Sequence, residues 1–229
     1  MALALQAALD DCAEDDNIRA IYLTGEGKAF CAGQDLAEVT SDDAPDLVNI
    51  VAEHYNPIVE RIRNIAKPIV GAVNGVAAGA GANLALACDV CVATESASFI
   101  QAFSKIGLIP DSGGTFTLPR LIGFQKASAL MMLGDKVMAN DAENLGMLYK
   151  VFADEEFENA SFQLAEKLAN MPTKGLAYTK HLLNQSMTND LTAQLKAEEV
   201  YQAKAASTYD YEEGVNAFLE KRKPEFKGR

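Results

Sequence analysis

Residues 67–89 constrain the fold more than any other part of the chain, because nearly all of them are small and apolar. A membrane-spanning helix needs about 20 apolar residues, and this segment is long enough to supply them. However, Asn74, Asn83 and Asp89 interrupt the run, and glycines recur in it at short intervals. The segment is therefore interpreted as the buried centre of a globular domain, and no membrane association is expected.

The same segment divides into a strand, a glycine-rich loop, a helix and a second strand. The pattern predicts a buried strand over 69–73, a helix over about 81–87 and another buried strand over 90–93. The first amide N–H groups of a helix have no partner within that helix. Because small residues let a ligand approach these amides, the segment is predicted to bind an anion or an oxygen that develops negative charge.

Composition limits the partners of the chain. Its 229 residues are 49% hydrophobic, which is enough for one large core with a small appended region. Lysine and arginine number 20 against 32 aspartates and glutamates, and the resulting net charge of −12 argues against nucleic acid as a general partner. A local basic cluster could still bind an anionic small molecule.

The four cysteines are scattered, and no signal peptide precedes them, so a cytoplasmic location is expected. Cys88 and Cys91 have the spacing of a redox or zinc pair. They lie in an apolar strand region with no second ligand pair nearby, so they are interpreted as buried small residues. No metal site is predicted.

A second glycine-containing turn follows a strand nearer the N-terminus. The pattern predicts a helix over 1–13, a strand over 18–24 and a loop that leads into residues 29–36. Two units of this kind can place two backbone N–H groups side by side at the ends of neighbouring strands. A mobile polar loop over 40–45 and an amphipathic helix over 47–64 are expected next.

Strands are predicted mainly in the first two thirds of the chain, whereas residues 155–221 are nearly all helical by pattern. This order indicates an α/β fold, with a core over residues 1–165 and a helical region over residues 166–229.

Three motifs follow one another in a fixed order: residues 28–36 (KAFCAGQDL), 74–81 (NGVAAGAG) and 107–115 (GLIPDSGGT). Together they resemble the enoyl-CoA hydratase/isomerase (crotonase) superfamily, and the likeness extends to residues 218–222. The resemblance implies a core of repeated ββα units and a C-terminal helical region that builds a homotrimer or a dimer of trimers. Members of the superfamily usually begin with a strand and loop that contribute to CoA binding, so this N-terminal strand is expected to be missing here.

The resemblance also implies an acyl-CoA substrate, with CoA as part of the substrate and no separate cofactor. The thioester carbonyl would lie in an oxyanion hole formed by the backbone N–H groups of Gln34 and Ala80. Further substrate contacts are implied at Ala29, Ala32, Asp35, Asn83, Phe103 and Lys221.

At several of these positions the residue type also allows a second interpretation. Asn83 could orient a water or the thioester, or could be a packing residue bonded to the backbone. Phe103 is expected to form a wall of the acyl pocket, and Asp35 could cap a turn. Lys221 could meet the CoA phosphates of a neighbouring subunit or belong to a solvated basic tail. His54 and His181 match no motif and are interpreted as structural.

The resemblance predicts isomerisation rather than hydration. Hydratases of the superfamily use two glutamates, whose positions here hold Asn83 and Phe103, and neither can act as an acid or a base. In the isomerase branches a single carboxylate enters from the Pro-Asp-x-Gly-Gly turn, where this chain has Asp111. The likeness is closest to isomerases of ring-1,2-epoxyphenylacetyl-CoA, and Δ3,Δ2-enoyl-CoA isomerisation uses the same groups.

Three alternatives remain at this point. Asp111 could be a helix N-cap. It could be the nucleophile of a related dehalogenase or hydrolase, which would need a histidine base near Asn56. The protein could also be a non-catalytic CoA-binding scaffold trimer.

Overall fold

The computed structural model describes residues 1–35 and 46–229. In this part of the chain, strands form two four-stranded sheets. The first sheet has the order β1 (Ile21–Thr24), β3 (Ile69–Val73), β5 (Val90–Thr94) and β8 (Lys150–Phe152). The second has the order β2 (Ala29–Cys31), β4 (Val76–Ala78), β6 (Ser98–Ile100) and β7 (Lys136–Met138).

The described residues also form the following helices, given in chain order. They are α1 (Ala2–Glu14), α2 (Leu47–Asn49), a π-helix (Ile50–Tyr55), α3 (Asn56–Asn64), α4 (Ala80–Ala87), a 3-10 helix (Ala102–Ile106), α5 (Gly114–Ile122), α6 (Phe124–Leu133), α7 (Ala139–Leu145), α8 (Phe157–Ala169), α9 (Thr173–Ser186), α10 (Leu191–Ala206) and α11 (Tyr209–Glu220).

Each repeat sends one strand to each sheet before its helix begins. Thus β3 joins the first sheet, β4 joins the second, and α4 follows; β5 and β6 repeat the pattern. The pairings are parallel except that of β6 with β7. The predicted α/β fold of repeated ββα units is confirmed.

The central strand β3 explains why the segment 67–89 is so apolar. All five of its residues are buried, and it pairs in parallel with β1 on one side and β5 on the other. Parallel strands that are covered on both faces have continuous apolar sequences rather than alternating apolar and polar ones. Helix α4, which belongs to the same apolar segment, is also buried along its whole length.

Several predictions of local structure differ from the structure, among them the two that follow. The loop expected between 74 and 80 contains the strand β4, because its three residues pair with both β2 and β6. The helix expected over 47–64 is interrupted by a π-helix. The mobile loop expected over 40–45 and Leu36 of the first motif lie outside the described residues.

The helical C-terminal region is joined to the core by a buried ion pair. Lys180 in α9 is 7% exposed, and its Nζ lies 2.8 Å from Oδ2 of Asp89, the residue before β5. The same Oδ2 accepts a hydrogen bond from the amide of Ile69 at 2.9 Å. The expected boundary at residue 165 falls inside α8, whose Phe157 and Ala165 pack on the first sheet. The division at 165 therefore stays a prediction.

The last nine residues fold back onto α11. The carboxylate of Asp210, which is 2% exposed, accepts the amides of Lys227 at 2.6 Å and Gly228 at 2.8 Å. Arg222 pairs with Glu213 at 2.5 Å, so this residue of the basic tail is held by an ion pair, whereas Lys221 and Lys223 are exposed. In the described residues, the helices are all too short or too polar to cross a membrane.

Candidate active site

The two glycine turns meet where the neighbouring parallel strands β2 and β4 of the second sheet end. Gly33 has φ +88°, which an L side chain rarely adopts, and a β-carbon built on it would lie 3.1 Å from the carbonyl oxygen of Ala78. The same β-carbon would lie 3.6 Å from the amide nitrogen of Ala80. The turn that precedes Gln34 is therefore packed directly against the start of α4, as the sequence predicts.

The amide of Ala80 is free of intrahelical bonding by its position. Ala80 is the first residue of α4, and the first four N–H groups of a helix have no partner inside it. Helix α4 can lie this close to β2 because residue 81 is glycine: a β-carbon there would collide with the carbonyl oxygen of Cys31. Backbone N–H groups held in this way can stabilise negative charge on a bound oxygen.

A cavity of about 370 Å³ opens beside these turns. Its lining residues come from four segments, which are 32–34, 47–55, 79–80 and 102–111. A pocket of this size is typical of a small-molecule site. Of the predicted site residues, those in the lining are Ala32, Gln34, Ala80, Phe103 and Asp111.

The other four predicted residues lie outside this lining. Ala29 pairs with Val76 inside the second sheet, and Asp35 is exposed at the end of the first described segment. Lys221 is the exposed residue that ends α11. Asn83 is buried behind the pocket wall, with 1% of its surface exposed. The roles assigned to all nine residues stay predictions.

Asp111 occupies the pocket as a partly buried carboxyl group. Removal from water raises its pKa, and a hydrogen bond of 2.8 Å from the hydroxyl of Ser112 acts in the opposite direction. Ser112 is 2% exposed and has φ +50°, so this turn is a strained one. A carboxyl group with a raised pKa in an apolar pocket is a candidate proton acceptor.

The alternative that Asp111 merely caps a helix does not fit the geometry. Gly113 is the N-cap of α5, and no side chain accepts a hydrogen bond there. Asp111 instead uses its backbone carbonyl, which accepts the amide of Gly114 at 2.8 Å. The Asp111 carboxyl group therefore does not cap the helix.

Asn83 contacts Asp111 through the backbone rather than the pocket. Its Nδ2 donates to the carbonyl oxygen of Asp111 at 2.9 Å, and its Oδ1 accepts from Nε2 of Gln101 at 2.8 Å. Of the two interpretations that the sequence leaves open, the geometry favours the hydrogen bond to the backbone.

Sequence reasoning missed the π-helix side of the pocket. Tyr55 is 3% exposed and donates from its hydroxyl to Oε1 of Gln34 at 3.2 Å. Lys105 contributes a cation to the lining. The amphipathic pattern over 47–64 indicated a buried face, but it could not show that this face covers the glycine turn, because the contact depends on tertiary packing.

Comparison with known proteins identifies the family. A family model described as "Enoyl-CoA hydratase/isomerase" matches residues 1–229. The chain belongs to this family. The resemblance drawn from the three motifs is thereby confirmed, and the protein is an acyl-CoA isomerase or hydratase of the enoyl-CoA hydratase/isomerase family.

Curated relatives include both isomerases and hydratases. The chain is 47% identical over 232 residues to "1,2-epoxyphenylacetyl-CoA isomerase" of Escherichia coli K12, an alignment that covers 100% of this chain and 88% of the relative. It is 43% identical to a "Probable enoyl-CoA hydratase" of Rhodobacter capsulatus, with 92% and 82% covered. It is 36% identical to "Trans-2-decenoyl-[acyl-carrier-protein] isomerase" of Streptococcus mutans, with 97% and 86% covered.

Solved structures of this family share the fold. A putative enoyl-CoA hydratase/isomerase from Mycobacterium abscessus superposes with a TM-score of 0.94 at 37% identity, covering 100% of this chain and 89% of the other. A putative enoyl-CoA hydratase from Streptomyces coelicolor A3(2) gives 0.92 at 35% identity, with 100% and 84% covered.

Proposed function

We propose that this protein is a CoA-thioester isomerase that moves a proton between carbons of the bound acyl group. The observation that carries the proposal is the carboxyl group of Asp111. Of the described residues that line the pocket, Asp111 supplies the one carboxyl group. The two positions at which the resemblance places hydratase glutamates hold Asn83, outside the lining, and Phe103, inside it.

The mechanism begins with proton abstraction from carbon 2 of a 3-enoyl thioester by Asp111. The electron pair left on carbon 2 moves onto the thioester oxygen and forms an enolate. The amides of Gln34 and Ala80 stabilise this oxygen, and loss of one such donor costs about 2.7–4 kcal/mol in another enzyme. The protonated Asp111 then delivers the proton to carbon 4, so the double bond moves from carbons 3 and 4 to carbons 2 and 3.

One base suffices for this reaction if both carbons lie on the same side of Asp111. A positioned base of this kind contributes about 10²–10⁴-fold to the rate. The proton taken is the proton returned, so the sequence of steps needs no cofactor beyond the CoA of the substrate.

The apolar lining supports an acyl group without charge. Phe103 is 7% exposed, and its ring lies 3.7 Å from a β-carbon built on Gly79, so it walls the pocket next to the oxyanion turn. The name of the Escherichia coli relative adds ring-1,2-epoxyphenylacetyl-CoA as a second candidate substrate. The same two amides would then stabilise the oxygen while the ring rearranges.

Hydration is the second candidate, because the Rhodobacter capsulatus relative is called a probable hydratase. Adding water requires groups that activate the water and protonate carbon 2. The described lining holds one carboxyl group rather than two, which favours isomerisation. The scaffold alternative makes a different prediction in the same assay.

The assay follows the ultraviolet absorbance of the conjugated thioester as 3-hexenoyl-CoA is supplied to wild type and Asp111→Asn. We expect rapid conversion by wild type and a rate lower by about 10²–10⁴-fold in the variant. Incubation of 2-hexenoyl-CoA should give no hydrated product. Equal rates for the two proteins would remove Asp111 from the mechanism. CoA binding without turnover of 3-hexenoyl-CoA or the ring epoxide would favour the scaffold.

We also propose that the protein is a homotrimer, single or paired, formed through the C-terminal helices. Phe218 and Leu219 at the end of α11 are 82% and 72% exposed, and Leu191 at the start of α10 is 74% exposed. Such exposed apolar side chains are typical of an interface. Sedimentation at several concentrations should give three or six chains, and a monomer would contradict the proposal. The contact of Lys221 with CoA phosphates and the cytoplasmic location stay predictions.

A further inference from the structure

Two buried carboxamides form a chain that ends on the catalytic turn. Gln101 is 3% exposed, and its Nε2 donates to Oδ1 of Asn83 at 2.8 Å. Asn83 is 1% exposed, and its Nδ2 donates to the carbonyl oxygen of Asp111 at 2.9 Å. The chain thus runs from the segment after β6, through α4, to the residue proposed as the base.

The direction of every hydrogen bond in this chain is set at its Asp111 end. A carbonyl oxygen can only accept, so Asn83 must present its NH₂ group to Asp111. The oxygen of Asn83 then faces Gln101, which must present its own NH₂ group. The remaining oxygen of Gln101 is buried and has no hydrogen-bond partner among the described residues. An unsatisfied buried acceptor is unfavourable. In this arrangement the oxygen of Gln101 lacks a hydrogen bond, whereas the carbonyl oxygen of Asp111 receives one.

The Asn83 carboxamide packs directly against Gly114. A β-carbon on Gly114 would collide with this carboxamide, so the glycine at the start of α5 is what admits Asn83 to the turn. The carbonyl oxygen of Asp111 also accepts the amide of Gly114 at 2.8 Å. The backbone of Asp111 is therefore held from two sides.

We propose that Asn83, oriented by Gln101, is a positioning residue that fixes the Asp111 turn so that its carboxyl group faces the bound thioester. This inference rests on the proposed function. It also bears on the choice of reaction, because an ionised glutamate at position 83 has no hydrogen to donate and would face the carbonyl oxygen of Asp111. An ionised hydratase-type glutamate at this position could therefore not make the hydrogen bond by which Asn83 holds the Asp111 turn.

The kinetic test compares Asn83→Leu, which keeps the shape, with Asn83→Glu and with the control Ser161→Ala. Ser161 is fully buried in α8, where its hydroxyl donates to the carbonyl oxygen of Phe157 at 2.6 Å, and it is far in the chain from the pocket segments. Both Asn83 variants should lower kcat on 3-hexenoyl-CoA by about 10–100-fold with little change in KM, because a base displaced by about 1 Å loses that much. The control should keep its kcat.

Positioning is separated from general damage by repeating Asn83→Leu in the Asp111→Asn background. If Asn83 acts through Asp111, the substitution should cause no further loss there. A wild-type kcat in Asn83→Leu, an equal loss in both backgrounds, or hydration of 2-hexenoyl-CoA by Asn83→Glu would overturn the proposal.

A second measurement does not depend on turnover. It therefore separates failure of the positioning role of Asn83 from failure of the proposed function. The ¹³C resonance of the Asp111 carboxyl carbon is titrated in wild type, Asn83→Leu and Ser161→Ala. Release of the turn should admit water and move the pKa of Asp111 down toward its ordinary value in Asn83→Leu alone. An unchanged Asp111 titration in Asn83→Leu would overturn the positioning role of Asn83, even if the enzyme proved to have another activity.

Discussion

Gly33 lies against the amide nitrogen of Ala80, and a β-carbon on Gly33 would be 3.6 Å from that nitrogen. The contact joins two turns that are separated by more than 40 residues in the sequence. It brings the start of α4 next to the turn that carries Gln34. The proposed oxyanion hole exists only because these two backbones pack together.

Substitution Gly33→Ala is expected to lower both stability and activity. The left-handed conformation at φ +88° costs a residue with a β-carbon about 1–2 kcal/mol, and the added methyl presses on Ala78 and Ala80. Displacement of the two amides should lower kcat by about 10–100-fold. Urea unfolding and the 3-hexenoyl-CoA assay measure the two effects.

The matched control is Gly27→Ala. Gly27 has φ +69°, but a β-carbon there would meet nothing within 4 Å. Its loss of stability should be limited to the conformational cost of about 1–2 kcal/mol, while its kcat should remain that of wild type. Equal kcat values for the two variants would contradict the role assigned to the Gly33 contact.

The raised pKa of Asp111 predicts a specific pH dependence of activity. The carboxylate base forms only above this pKa, so kcat/KM should fall on the acid side at a pH above the ordinary aspartate value of 3.8. A pH profile of 3-hexenoyl-CoA isomerisation measures the midpoint. A midpoint at or below the ordinary value would contradict the assignment.

The same shift has a consequence for stability. Because the folded state holds the Asp111 proton more tightly than the unfolded chain, protonation stabilises the fold below the unfolded pKa, and this contribution is lost as the pH rises through the folded pKa. Asp111→Asn carries no such charge and should be more stable than wild type at neutral pH. The difference in urea midpoint should shrink in acid; a constant difference would indicate another cause.

The buried ion pair between Lys180 and Asp89 should contribute strongly to stability. In Lys180→Met the carboxylate of Asp89 keeps the more distant Arg63, at 3.5 Å, as its remaining ion-pair partner, and loss of one member of a buried pair costs about 3–5 kcal/mol. The control is Lys196→Met, which breaks an exposed pair with Glu199 and should cost less than about 1 kcal/mol. Urea unfolding of the two variants tests this contrast, and similar losses would contradict it.

Asp210 is expected to hold the C-terminal segment in place. In Asp210→Ala the amides of Lys227 and Gly228 lose their acceptor, which should cost about 1–3 kcal/mol and, by loosening the segment, speed trypsin cleavage at residues 221–223. Glu212→Ala, an exposed acid in the same helix turn, serves as the control and should stay resistant. Equal rates of cleavage in both variants would show that Asp210 does not anchor this segment.

Much of the fold could be predicted from local patterns. The strand over 69–73 is found at its expected bounds, and α4 begins one residue before the predicted start, because continuous apolar runs and glycine positions are local signals. The strands β2, β4 and β7 escaped prediction. Each has three residues and is stabilised by pairing with strands distant in the sequence, so its own residues carry little signal.

The candidate site divides in the same way. The sequence by itself determined which chemical groups are present: two glycine turns that can offer amides, one aspartate after a proline, and asparagine and phenylalanine at the expected glutamate positions. Only the tertiary structure decided that Asn83 bonds the backbone of Asp111 and that Tyr55 bonds Gln34, because hydrogen bonds between distant segments depend on the packing of the two sheets and the helices around them.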